Sequence, residues 1–118
     1  MTRMKSTTIE NAPKFKLMKG VKMTLIGNGE RMSFIRIKIK PGAVIPDHSH
    51  PHEQIGTCVE GEGVLTSGGE ALKVVPGITW TIPPEEVHRF EAKGENPTLI
   101  HEIWSPPRED YKKLAKVV

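Results

Sequence analysis

Residues 41–63 read PGAVIPDHSHPHEQIGTCVEGEG. Proline and glycine punctuate both ends, and a strand-like run, QIGTCV, lies between them. His48, His50, His52 and Gln54 share one parity. In an extended chain residues two apart point the same way, so His48 and His50 can converge on one ion, with Gln54 following from the next part of the strand. Imidazole nitrogen and amide oxygen both suit a divalent first-row metal. His88, after PPEEV and at the start of another strand, occupies a comparable place. A set of His48, His50, Gln54 and His88 from two adjacent strands leaves coordination positions open, as a catalytic metal requires. The competing reading is a hydrogen-bonded polar loop. Pro51 breaks the strand before His52, which therefore reads as a rim residue.

Outward from this stretch the chain is strands and turns. SFIRIKIK (33–40) alternates, with Ile35, Ile37 and Ile39 on one face and Arg36, Lys38 and Lys40 on the other. GVLTS and EALKVV flank a Gly68–Gly69 hairpin turn. ITWTI places Ile78, Trp80 and Ile82 on one face, VHRFEA follows, and TLIHEIW is the last strong strand. The tail, REDYKKLAKVV, reads as a helix, begun by Glu109 and Asp110 where negative charge suits the helix dipole. Short strands separated by Gly/Pro turns every eight to twelve residues indicate an all-β sandwich or barrel. No linker divides the 118 residues, so one domain spanning 1–118 is expected.

Composition narrows the function classes. No apolar run reaches the length of a membrane span. The N-terminus lacks a hydrophobic signal core, and the single cysteine, Cys58, fits a reducing cytoplasm, where the protein is expected to reside. Cys58 reads as a buried structural thiol, since no fixed base accompanies it. Residues 1–40 carry ten Lys/Arg against Glu10 and Glu30, although the net charge is only +3. That basic third could face nucleic acid or an anionic ligand. With six aromatic residues and no helix-turn-helix pattern, it reads as a solvated strand face, and no nucleic-acid partner is expected.

Gly42, His48, His50, Gln54 and Gly61 fit the first motif of the cupins, and GITWTIPPEEVH, with Gly77, Pro83 and His88, resembles the second. Gln54 replaces the commoner Glu, Glu85 the usual turn glycine, and Ala92 stands where Asn is frequent. The resemblance covers about residues 20–105. It implies a double-stranded β-helix (jelly-roll) barrel, a metal inside held by His48, His50, Gln54 and His88, and pairing as a homodimer. Glutamine in place of glutamate removes one negative charge from the site, which favours electrophilicity over affinity. Mn, Fe, Ni and Zn all suit three imidazoles and an amide.

HSHPHEQIG followed by SPPREDY is similar to the pectin-degradation cupins of the KdgF type, which linearise 4,5-unsaturated uronates to 5-keto-4-deoxyuronates. That resemblance implies a proton-transfer role for Glu102, a substrate-facing ring at Trp104 and a substrate-binding Arg108. The acid in that subfamily is typically Asp, one methylene shorter. Thr98, Ile100, Glu102 and Trp104 share one parity, so Glu102 and Trp104 project to the same face, with His101 opposite. Trp80 and Phe90 read as core, and Glu53 and Glu60 as exposed. The expected partner is a small anionic substrate. The alternatives are dioxygenase or isomerase chemistry on another small acid, or a non-catalytic ligand sensor. A sensor has no need of an acid beside the metal, and oxygen dependence separates the two enzyme classes.

Overall fold

The computed structural model describes residues 3–116, and a jelly roll results. Its strands are β1 (Lys14–Met18), β2 (Val21–Asn28), β3 (Ser33–Ile39), β4 (Val44–His48), β5 (Glu53–Glu60), β6 (Glu62–Ser67), β7 (Glu70–Val74), β8 (Thr79–Ile82), β9 (His88–Lys93) and β10 (Thr98–Ser105). One short helix, α1 (Glu109–Leu114), closes the described chain. The strands form a six-stranded sheet, β1-β2-β3-β10-β5-β8, and a four-stranded sheet, β4-β9-β6-β7. All pairings are antiparallel.

Period-2 patterning decides which faces meet. Ile35, Ile37 and Ile39 of β3 are buried, as are Val21, Met23 and Leu25 beside them on β2. From the facing sheet come Ile45, Leu65, Phe90 and Ala92. Thr98, Ile100, Glu102 and Trp104 of β10 all point into the same interior, whereas His101 lies outside, its ring edge-on to Phe34 at 5.7 Å. Gly68 and Gly69, at φ +56° and +82°, make the β6–β7 turn of the type that matches strand twist. The basic N-terminal third becomes the outward face of β1–β3, with Lys16, Lys22 and Lys38 directly opposite one another across the strands and exposed. Among the described residues no helix is long and apolar enough to cross a membrane.

Two strands were not evident in the sequence. β1 is a short edge strand, and β4 runs through PGAVIPDH, where Pro46 and the flanking turns mask it. β4 corrects the expected origin of the histidines. His48 ends β4 in the four-stranded sheet, His50 sits in the following loop, and Gln54 belongs to β5 in the other sheet. The group therefore spans both walls of the barrel instead of two neighbouring strands.

A candidate metal centre

His48 and His88 are directly opposed in the β4–β9 pair, with ring centroids 4.1 Å apart. The loop returns His50 to within 5.0 Å of the His88 ring and 5.8 Å of the His48 ring. One ring nitrogen of each histidine lies within 4.8 Å of those of the other two. The loop is held from below by Glu85, whose N–H donates to the His50 carbonyl at 2.8 Å. Glu85 takes φ +68°, a left-handed conformation that costs a non-glycine residue about 1–3 kcal/mol.

Backbone carbonyls two residues away fix all three rings. Nδ1 of His48 meets the Pro46 carbonyl at 2.8 Å, that of His50 meets the His52 carbonyl at 3.0 Å, and that of His88 meets the Glu86 carbonyl at 2.8 Å. A carbonyl only accepts, so each Nδ1 carries a proton, and in the neutral ring Nε2 keeps its lone pair. Nε2 of His50 is buried with no hydrogen-bond partner, as is Oε1 of Gln54. Burial, then the Arg108 charge and the neighbouring imidazoles, lowers the pKa of His50 to about 4; burial likewise lowers that of His88. Both rings are therefore neutral at pH 7, and a cation need displace no proton from them. Three oriented nitrogens and an orphaned amide oxygen fit a divalent metal. His52 contributes its carbonyl to orient His50, and its own ring stays outside the convergent group of three.

Glu102 stands beside this group on β10. It faces Gly56 on β5, which in turn faces Trp80 on β8. A Cβ at position 56 would lie 2.5 Å from Nε1 and Cε2 of Trp80. Glycine there lets the indole lie across β5, so that Nε1 donates to Glu102 Oε2 at 3.1 Å. Gln54 Nε2 donates to the same oxygen at 2.6 Å, which turns the amide so that Oε1 is left over. Complete burial outweighs both bonds and pushes the Glu102 pKa up to about 7. Trp104 bears weakly on the same carboxyl, but its indole N–H has no partner of hydrogen-bonding geometry. Trp80 was expected to be core only. It is buried, and it also holds the acid; the signal available was a glycine inside a strand two residues after Gln54. Gly56→Ala should force Trp80 off Glu102 and destabilise the fold by about 1–3 kcal/mol. An unchanged melting temperature in that variant would contradict the packing described.

The interior cavity at this site is about 40 Å³, room for a few water molecules. His48, His88, Gln54, Glu102, Trp80 and Trp104 line it together with an apolar wall that includes Met23, Ile37, Leu65, Phe90 and Ile100. Arg108 is 5% exposed, its guanidinium 4.3 Å from the Trp104 ring and 3.8 Å from that of Tyr111. Both guanidinium bonds go to Asp110, so this arginine is no isolated surface charge. Cys58 is buried, and burial raises its thiol pKa, consistent with a structural role.

The cupin-domain family profile matches residues 35–104, more than half of the chain. The chain is a cupin. An isomerase from Bacillus subtilis, H2HPP isomerase, is 30% identical over 76 residues, covering 64% of this chain and 32% of that protein. The chain thus matches about a third of the length of that curated relative. Among solved structures, KdgF from Halomonas sp. superposes with a TM-score of 0.85 at 24% identity, covering 92% of this cupin and 99% of that chain. An RmlC-like cupin from Shewanella frigidimarina gives 0.84 at 23% identity, covering 92% and 96%. At these identities the structural matches establish the shared fold.

Proposed function

We propose that this cupin is a metal-dependent enzyme that moves a proton within a small anionic substrate, with ring opening of a 4,5-unsaturated uronate as the specific reaction. The observation that carries it is a buried carboxyl with a pKa of about 7 in a cavity lined by His48 and His88, two of the three convergent imidazoles. His48, His50 and His88, with Gln54 through Oε1, would hold one divalent transition metal. When bound, that ion supplies Lewis acidity toward a substrate oxygen. Glu102 does the proton work. The hemiacetal hydroxyl loses its proton, the bond from the anomeric carbon to the ring oxygen breaks, and the resulting enolate collects a proton on carbon. The net change is an isomerisation, so an acid that both takes and returns a proton suffices, and a pKa near 7 suits both directions. Trp80 and Gln54 hold Glu102 through Oε2, which leaves Oε1 to carry the proton. Trp104 supplies a wall for the substrate, and Arg108 a cationic fork for its carboxylate.

Turnover of unsaturated galacturonate by metal-replete protein, followed as loss of the enol-ether absorbance, tests this reading. No turnover and no uronate binding would reject it. A second reading, isomerisation of a small acid with an apolar body, is favoured by the apolar cavity wall and by the relative named as an isomerase. Competition between galacturonate and phenylacetate for the metal-replete protein separates the two.

The same reading includes a homodimer. The buried apolar residues of β2 and β3 are consumed by the chain's own core and offer no surface for it. The surplus lies elsewhere. Phe34, Ile103 and Ile55 stand side by side on the outer face of β3, β10 and β5, and are 39%, 43% and 50% exposed. Light scattering should give twice the chain mass, and Ile103→Lys should halve it. A monomer mass for the wild type over a wide concentration range would refute the pairing.

A further inference from the structure

Arg108 and Asp110 form a feature that the proton chemistry does not use. The Arg108 backbone N–H donates to Oγ of Ser33, a fully buried residue of β3, at 3.0 Å. That bond pins Arg108 to the barrel. Its guanidinium is held at Nε and Nη2 by the two oxygens of Asp110, at 3.0 and 2.8 Å. The arginine side chain is 6% exposed and the aspartate 56%. A planar cation fixed in an aromatic slot, with its fork turned to a carboxylate, is the arrangement used to recognise a carboxylic acid. Here the acid comes from the chain itself.

The helix that carries Asp110 also supplies part of the cavity wall. Tyr111 lines it beside Glu102, Trp104, His48 and His88, with its ring 5.0 Å from Trp104 and 5.3 Å from Phe15. Tyr111 is the one buried residue of α1, and the helix has no side-chain hydrogen bond at its N-cap. Contacts that hold this six-residue helix to the barrel include the Tyr111 ring and, through Arg108, the Asp110 carboxylate. The cavity, about 40 Å³, is too small for a sugar ring, so a ligand that reaches Glu102 must displace part of this wall.

We infer that Asp110 is an internal stand-in for the substrate carboxylate: an incoming carboxylic acid replaces it on Arg108, and the freed helix lifts Tyr111 from the cavity. Selectivity follows, because a neutral ligand of the same size gains nothing at the fork and leaves the lid latched. The inference rests on the reading that the ligand is an anion, but its first test needs neither ligand nor turnover.

The test is amide hydrogen exchange across residues 109–114 in wild type and Asp110→Asn, free and with galacturonate. In the free proteins Asp110→Asn should exchange about 3–10-fold faster, since asparagine is isosteric but forfeits the doubly bonded ion pair. Galacturonate should speed exchange of this segment in the wild type, whereas galactose, or sodium chloride at matched ionic strength, should not. Galacturonate should also bind Asp110→Asn several-fold tighter than wild type, as an internal competitor has been removed. Unchanged exchange in free Asp110→Asn would overturn the latch. Faster exchange with unchanged or weaker galacturonate binding would reduce Asp110 to a structural residue and overturn the competition. Failure of uronate turnover would remove the proposed reaction and leave the free-protein comparison decisive.

Discussion

Glu102→Gln should lower turnover of unsaturated galacturonate by about 10²–10⁴-fold, the usual loss when a positioned acid–base group is removed. The metal should stay, because the ring nitrogens that would hold it are oriented by backbone carbonyls and not by Glu102. Glutamine keeps an acceptor oxygen for the Trp80 indole and the Gln54 amide, so the cavity shape should persist. Undiminished activity in this variant would leave a metal enzyme without this proton carrier.

The same substitution has a stability signature in metal-free protein. Glu102 goes from a pKa of 4.5 to about 7 on folding, so the native state binds the extra proton between those values. Its contribution is fully present below pH 4.5 and is lost as pH rises through 7. His50 runs the other way, from 6.5 to about 4, and its contribution is lost as pH falls through that window. The two partly cancel in the wild type. The difference between Glu102→Gln and wild type isolates the acid. It should favour the variant more at about pH 8 than at pH 4.5, by on the order of 3 kcal/mol. Parallel melting curves at the two pH values would contradict the buried carboxyl.

His88→Ala should abolish turnover and metal-dependent stabilisation together. His88 opposes His48 in the β4–β9 pair, and no other histidine among the described residues can replace it, since His52 stands outside the group whose ring nitrogens converge and His101 outside the barrel. The fold should survive, because the Val21, Met23, Leu25, Ile35 and Ile39 core owes nothing to the histidines. Metal at about 1,000 times its dissociation constant adds about 4 kcal/mol to a protein that binds it only when folded. For a chain of this size that raises the melting temperature by roughly 15 °C or more. The wild type should show that rise and His88→Ala should not. An equal rise in both would mean that metal binds elsewhere.

What could be read from the sequence was whatever one-sided burial enforces. The parity of β3 and β10 placed Ile35, Ile37, Ile39, Glu102 and Trp104 inward, because a slip of one residue would expose all of them. The alternation was visible at β8 and β9 for the same reason. β4 was hidden because only Ile45 of its five residues is buried, so no period stands out. β1 was hidden because edge strands carry weak patterns, here lysines alternating with half-buried side chains. The histidine spacing survived the misplacement of its strands, since the loop from His48 to Gln54 brings both walls to one point. Trp80's grip on Glu102 depends on the lateral order β8-β5-β10, which local pattern does not encode. The pairing of Arg108 with Asp110 was equally silent, because it joins the N-cap residue to a first-turn residue two positions on, a spacing that helical-face rules do not pair.

The central claim is that His48, His50 and His88 offer their Nε2 atoms to one divalent metal inside the barrel. Elemental analysis of metal-replete, desalted protein tests it most directly. About one ion per chain in the wild type, and almost none in His48→Ala, His50→Ala and His88→Ala, is the predicted result; equal metal in all four proteins would contradict the account.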